Sequence, residues 1–346
     1  MAALQSIVFG PEHYLDRTAL LLGESGTGKS VIINDIIMKL LGLIDEAHVF
    51  SPSNKENKSY VGVIPDVFVH KEPTEETMNK IWERQIARVS VYNDKIMQQD
   101  ILKNLFVKIS TIDRKYAPVI GKVLAKKKQL ISNLKKTSDY EEKLRQINTK
   151  CGEFLSRVYV QAIKTHRDWL LKQKLTPDEQ FSAYHINFNP KTLLIFDDCT
   201  DSTERIRNTS VMKELFFQGR HKQITAIFAI HTDKCLPPES KKNTFNIVFT
   251  DTPAASSYFD RKSSGLGKEG ILRAMAALNE AFANPKNNQK LVWNRPDKKF
   301  YKYIAPFPPI IKRFGSSEYW SYAESIQKEP GELDTNNKYI AQMLGN

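Results

Sequence analysis

Short apolar runs separated by amphipathic stretches set the framework of the chain. Thr18-Ala-Leu-Leu-Leu-Gly23 has the length and apolarity of a buried strand, and residues 31–43 follow with apolar positions at helical spacing. Residues 47–51 and 67–69 predict two further strands, and a helix opening near Pro73 runs through Trp82 and Gln85. The alternation resumes at Lys191-Thr-Leu-Leu-Ile-Phe-Asp-Asp198, followed by a helix over residues 203–218 that Gly219 is expected to close as a left-handed cap. Strands over residues 223–230 and 245–250, a helix over 268–283 and strands at 290–293 and 300–303 complete the series. Strands alternating with helices in this way predict an α/β fold with a mostly parallel central sheet flanked by helices.

Between these two α/β stretches the pattern changes. Over residues 86–180 glycine almost disappears, Lys and Leu/Ile recur, and long helices are predicted. Breaks fall near Ala117-Pro118 and Thr137-Ser-Asp139, where Asp139 is placed to cap the next helix. The expected organisation is a core formed by residues 1–85 and 186–318, a helical insertion over 86–185, and a polar tail over 319–346 that frays.

Charge singles out the insertion. The chain carries 51 Lys+Arg against 39 Asp+Glu, a net of +12, and residues 101–174 alone hold 18 Lys+Arg against 6 Asp+Glu. The whole excess lies in that segment, densest at Lys126-Lys-Lys128 and Lys135-Lys136. Such a segment suits double-stranded DNA bound without sequence reading, by counterion release. Its few aromatics are not interleaved with the lysines, which disfavours base stacking on single strands. A protein partner or a merely solvated face are the other readings. Arg261-Lys-Ser-Ser-Gly-Leu-Gly-Lys268 is a second basic loop, a candidate DNA contact or an ordinary surface loop.

Three cysteines without CxxC spacing read as reduced thiols of an intracellular protein. No leader pattern is expected, and no apolar run reaches the roughly 18 residues of a membrane span.

Two elements carry chemistry. Gly23-Glu24-Ser25-Gly26-Thr27-Gly28-Lys29-Ser30 is a complete P-loop with a strand before it and a helix after it. Its glycines let backbone N–H groups face phosphate oxygens, Lys29 reaches the β- and γ-phosphates, and the Ser30 hydroxyl is a Mg²⁺ ligand. The strand ending in Asp197-Asp198 places two carboxylates at the sheet edge where ligands of open α/β sheets bind. Asp197 is the expected Mg²⁺ holder and Asp198 the residue that polarises the attacking water. His231 ends the next strand, either as a γ-phosphate sensor or as a structural histidine. With no Asn-Lys-x-Asp motif for guanine, ATP is the expected nucleotide. Arg220, just before that strand, belongs at the opposite sheet edge, so it would act on a neighbouring copy's site or pair with a carboxylate. Arg205 and Arg207 are its rivals as an arginine finger.

The order P-loop, Ile195-Phe-Asp-Asp198, Gln218-Gly-Arg-His221 and Ile224-Thr-Ala-Ile-Phe-Ala-Ile-His231 resembles the genome-packaging ATPases of large nucleocytoplasmic DNA viruses. These are the poxvirus, iridovirus and African-swine-fever type, within the FtsK/HerA superfamily of P-loop motors. The matching stretches span residues 18–85 and 191–314, and the Gly-Arg-His element makes the match distinctive. The resemblance implies an ASCE/RecA-like core and a homo-oligomeric ring, pentameric or hexameric, that hydrolyses ATP with Mg²⁺ to drive double-stranded DNA into a capsid. It further implies a capsid or membrane-associated virion protein as partner, and a place in the virion or at a cytoplasmic assembly site of the host cell. By position, Lys29 and Ser30 bind nucleotide and metal, Asp197 and Asp198 are the acidic pair, and Arg220 is the trans-acting arginine. The chain departs from the pattern at His231, where the superfamily usually has Gln, and in its long basic insertion. A HerA-like cellular or plasmid translocase, and a capsid-docking assembly protein with structural nucleotide, are the alternative functions.

Overall fold

In the computed structural model, which describes residues 3–135, 138–261, 264–284, 287–307 and 313–328, the apolar runs become strands. They are β1 (Thr18–Leu22), β2 (Glu46–Phe50), β3 (Val69–His70), β4 (Thr192–Asp197), β5 (Ile224–Ile230), β6 (Asn246–Phe249), β7 (Lys290–Asn294) and β8 (Lys299–Tyr303). All join one sheet in the order β3-β2-β4-β5-β1-β6-β7-β8. The pairings from β3 to β6 are parallel, while β7 and β8 are added antiparallel. β5 thus separates the P-loop strand β1 from the acidic strand β4, the strand order of an ASCE/RecA-like P-loop core. The chain is an α/β protein of that class.

The central strands read as continuous apolar runs because both faces are covered. On one face the register partners Phe50, Phe196 and Phe228 stack, with ring centroids 4.9 Å apart for the first pair and 4.2 Å for the second. Phe216, from the helix Ser210–Gln218, stacks on Phe228 at 5.0 Å. The alternate positions Leu21, Val49, Ile195, Ile227 and Val248 are equally buried, so the opposite face is closed as well.

The chain divides into two compact units, Met1–Arg88 with Asn189–Asn346, and Val89–Phe188. The second contains the helices Gln99–Ser110, Ala117–Ser132, Tyr140–Thr165 and Pro177–Tyr184. Its core includes Leu102, Leu105, Ile109, Ala162, Ile163 and Leu170. The helix Ala117–Ser132, which carries Lys126, Lys127 and Lys128, buries no residue. Asp139 stands at the start of Tyr140–Thr165 without a side-chain capping bond and pairs instead with Lys143, 2.6 Å away. Lys136 and Thr137 lie outside the described residues, as do Lys262 and Ser263 of the second basic loop.

Several local expectations change. The helix foreseen over residues 203–218 is two helices, Thr200–Ile206 and Ser210–Gln218. Gly219 is right-handed (φ −51°) and opens a 3₁₀ turn, Gly219–Lys222; the left-handed residue is Gln223 (φ 56°). The extra turn, which carries Arg220 and His221, shifts the reversal to the residue before β5. The stretch beyond Tyr319, expected to fray, begins inside the helix Ser317–Lys328, where Tyr319 and Tyr322 are buried. Tyr319 stacks on Phe68 at 4.7 Å, an apolar contact hidden within a polar composition. Residues 329–346 of that tail lie outside the described residues. The helix Thr252–Phe259 was not foreseen, although Asp251 caps it and Pro253 opens it. Among the described residues no helix is long and apolar enough to cross a membrane.

Candidate nucleotide site

The chain leaves β1 at Leu22 and enters α1 (Lys29–Leu40) through residues 23–28. Gly26 and Gly28 take φ of 75° and 94°, values that side-chain-bearing residues rarely adopt. Gly23 is needed for space: a Cβ there would stand 1.9 Å from Thr250 Oγ1 and 2.6 Å from Asp251 Oδ2. Lys29 is buried at the start of α1, and its Nζ donates to the carbonyls of Gly23 (2.7 Å) and Glu24 (2.8 Å). Burial lowers the Lys29 pKa, against the opposing pull of Asp198, Asp197, Asp251 and Glu24. Ser30, Glu24, Ser25 and Gly26 are exposed, so this part of the loop lies open at the surface of the site.

Asp197 is the last residue of β4 and is only 5% exposed. Its Oδ2 accepts a hydrogen bond from the buried Tyr60 hydroxyl at 2.9 Å. Burial raises the Asp197 pKa, opposed first by that hydrogen bond, while the neighbouring Asp198 charge adds to the rise. Asp198 turns out of the strand with φ 59°, a left-handed conformation that Asp tolerates better than most residues, and its N–H still donates to Ala229 O at 3.0 Å. Its carboxylate is half-exposed and lies 2.5 Å from His231 Nε2. The other ring nitrogen, Nδ1, is 3.2 Å from the Gly23 carbonyl oxygen. His231 therefore bridges the P-loop and the acidic strand, each ring nitrogen facing an oxygen.

Residues 23–30, Asp197, Asp198 and His231 thus meet at one edge of the sheet. Arg220 does not join them; it sits before β5, at the edge where the parallel strands begin. It is exposed, with Nε 3.3 Å from His221 Nε2, and among the described residues no carboxylate lies within ion-pair distance. Its rivals are engaged within the chain: Arg205 pairs with Glu72, and Arg207 pairs with Glu204 at 2.9 Å while donating to Lys234 O at 3.0 Å.

Three contributors escaped the sequence reading. Tyr60 comes from a loop with no regular pattern. Asp251 Oδ2 accepts from the Glu24 N–H at 2.6 Å, and its other oxygen accepts from Ala254 N at 2.8 Å. An Asp followed by Thr-Pro after a strand is a helix-start signal that would have found it. Lys290, on the antiparallel strand β7, donates to Thr27 O at 2.7 Å and to Thr250 O at 3.4 Å, bracing the P-loop from behind. Nothing in its local sequence announces that contact.

No family model matches the chain. Along almost its whole length it is similar to the uncharacterized protein B354L of African swine fever virus. In the Tick/Malawi isolate the two are 28% identical over 353 residues, 97% of this chain and 95% of the viral protein; the Badajoz strain's copy matches equally. The likeness to a large nucleocytoplasmic DNA virus of the African-swine-fever type, implied by the motifs, is borne out at that level. Among solved structures, the genome packaging NTPase B204 from Sulfolobus turreted icosahedral virus 2, in complex with ATP-gammaS, aligns with TM-score 0.39 and 14% identity over 87% of this chain and 100% of that one. The plasmid coupling protein TrwB, in complex with a GTP analogue, aligns with TM-score 0.38 and 11% identity over 90% and 91%. The fold assignment stands on the strand order and the P-loop, independently of these loose superpositions.

Proposed function

We propose that the chain is an ATP-driven double-stranded DNA translocase that packages a viral genome into its capsid, working as a homo-oligomeric ring with ATP hydrolysed at the subunit interfaces. The observation that carries this reading is the convergence of P-loop, acidic pair and bridging histidine at one sheet edge. The full-length likeness to an African swine fever virus protein supports the viral setting.

In this reading the loop amides and the N-terminus of α1 hold phosphate oxygens. Lys29, released from the two carbonyls it now serves, stabilises charge on the transferring phosphoryl group. Asp198 accepts the proton of the attacking water, and His231 holds its carboxylate in place against the Gly23 carbonyl. The donor set suits Mg²⁺: a buried Asp197 carboxylate and an exposed Ser30 hydroxyl are hard oxygen ligands, and such sites take one or two carboxylates beside substrate phosphates. When bound, the ion would neutralise charge across the β- and γ-phosphates.

β5 spans seven residues, so Arg220 lies about 20 Å from the phosphate edge of its own sheet. It would serve a neighbouring copy. Lys126, Lys127 and Lys128, on a helix that buries nothing, supply phosphate contacts for duplex DNA.

The test is steady-state ATP hydrolysis by the purified chain, with and without linear duplex DNA, at two salt concentrations, with Lys29→Ala as the blank. Hydrolysis that duplex DNA stimulates, and that salt suppresses, is the expected result. Hydrolysis indifferent to DNA, or a Lys29→Ala protein as active as the wild type, would sink the proposal.

A further inference from the structure

The P-loop has a second flank. Opposite the acidic pair it borders an open cleft of about 490 Å³, within the range of about 300–1,000 Å³ usual for small-molecule sites. Thr27, Gly28 and Val31 line it from the P-loop and α1, and Ile304, Pro306 and Phe307 line it from the segment after β8. Phe307 is 83% exposed and Ile304 54% exposed, an unusual placement for large apolar side chains beside a polar phosphate loop. Asn287 and Asn288 also line the cleft. Lys290 does too, but its ammonium is turned into the P-loop, on Thr27 O.

The strand order decides what this cleft faces. β4 and β5, with Asp197, Asp198 and His231, lie on one side of β1, whereas β6, β7 and β8 lie on the other. A triphosphate held in the P-loop with its terminal phosphate at the carboxylates therefore directs its other end into the cleft. Resting on the nucleotide-site reading above, we infer that the cleft is the base subsite, in which Phe307 stacks on a purine and the amides of Asn287 and Asn288 read its edge. An amide offers one acceptor and two donors, which matches the adjacent amino donor and ring-nitrogen acceptor of adenine. Among the described residues no carboxylate lines the cleft to accept the ring N–H and amino group of guanine. The subsite therefore favours adenine.

The experiment is calorimetric titration of the full chain with ATP, GTP and inorganic tripolyphosphate, which lacks a base. The wild type is expected to bind ATP more tightly than GTP or tripolyphosphate. Phe307→Ala is expected to weaken ATP binding about tenfold, as loss of a base-stacking aromatic does, and to leave tripolyphosphate binding unchanged. Because Phe307 is mostly exposed, its truncation vacates no core volume. Asn288→Asp keeps an acceptor and removes the donors, so it should shift preference toward GTP; Asn288 has φ 49°, which Asp tolerates. Lys29→Ala should weaken ATP and tripolyphosphate alike. Unchanged ATP affinity in Phe307→Ala, with Lys29→Ala impaired, would place the base elsewhere while leaving the P-loop reading intact. Equal wild-type affinity for ATP and tripolyphosphate would also overturn the subsite. Failure of the wild type to bind any of the three would remove the nucleotide-site reading itself.

Discussion

Replacing Tyr60 with Phe removes one hydroxyl and keeps the ring that packs under the acidic strand. Tyr60 and Asp197 are 2% and 5% exposed, and the bond between them is 2.9 Å long, so water cannot replace the lost donor readily. A hydrogen bond to a charged group contributes about 1.5–3 kcal/mol net, which sets the expected loss of stability while Asp197 is ionised. The sign with pH follows from burial, which already holds the Asp197 pKa above the ordinary 3.8. A raised acid contributes stability fully present below that ordinary value and lost as pH rises through the folded one. Removing the Tyr60 donor raises the folded value further. The deficit of Tyr60→Phe should therefore be full at pH 8 and shrink as the carboxylate takes up its proton in acid. Urea unfolding at both pH values, read as a change of midpoint at unchanged slope, measures this. If Asp197 holds the metal, the same variant should need about tenfold more Mg²⁺ for half-maximal ATP hydrolysis, the equivalent of about 1.4 kcal/mol. A deficit independent of pH, with an unshifted Mg²⁺ requirement, would mean that Tyr60 merely fills space and that the account of Asp197 is wrong.

Two further outcomes follow from the geometry. Gly23→Ala drives a methyl into Thr250 Oγ1 at 1.9 Å, so the loop must shift; nucleotide affinity measured by calorimetry should fall at least about tenfold, in keeping with overpacking effects of about 1–3 kcal/mol. Acid should destabilise the fold from near neutrality downward. Burial lowers the pKa of His48, against the opposing pull of Glu46, and takes His70 to about 3, so His70 stays neutral in the fold well below 6.5, where an unfolded histidine gains a proton. Glu46, whose burial alone would raise it, is held at about 2 by Arg88 and His48, and its contribution is lost between 4.5 and about 2. Unfolding midpoints should decline steadily from pH 6.5 toward 3, and His70→Phe should flatten the upper part of that decline; a flat wild-type profile from pH 6.5 to 4 would refute it.

The meeting of P-loop, Asp197, Asp198 and His231 at one sheet edge was readable because each of its parts is local. The P-loop is a contiguous motif, and Asp197, Asp198 and His231 end strands whose apolar runs are unmistakable, so a parallel sheet brings them to one edge. What escaped was tertiary. Tyr60 donates across 137 residues of chain and Lys290 reaches Thr27 across 263, and neither contact leaves a periodic trace. The misplaced cap at Gly219 has a different origin: glycine's freedom made it the natural candidate, yet the chain spends one more turn to carry Arg220 and His221, and Gln223 takes the left-handed position. The aromatic anchor of the helix Ser317–Lys328 was masked by polar neighbours, because two buried tyrosines weigh little in a composition average.

The placement of Arg220 and the phosphate loop at opposite ends of one parallel sheet has a consequence for symmetry. A dimer about a twofold axis sets one and the same patch of both copies face to face, so it can pair arginine with loop only through a patch that spans both ends of the sheet, about 20 Å apart. A head-to-tail contact needs no such span, since one patch carries the arginine and a different patch carries the loop. Repeated without closure it leaves a loop unserved at one end and an arginine idle at the other; closed into a ring it leaves neither. On the proposed trans role of Arg220, an Arg220→Ala subunit in such a ring would silence the neighbouring copy's site, while its own site would still be served by an intact copy on its other side.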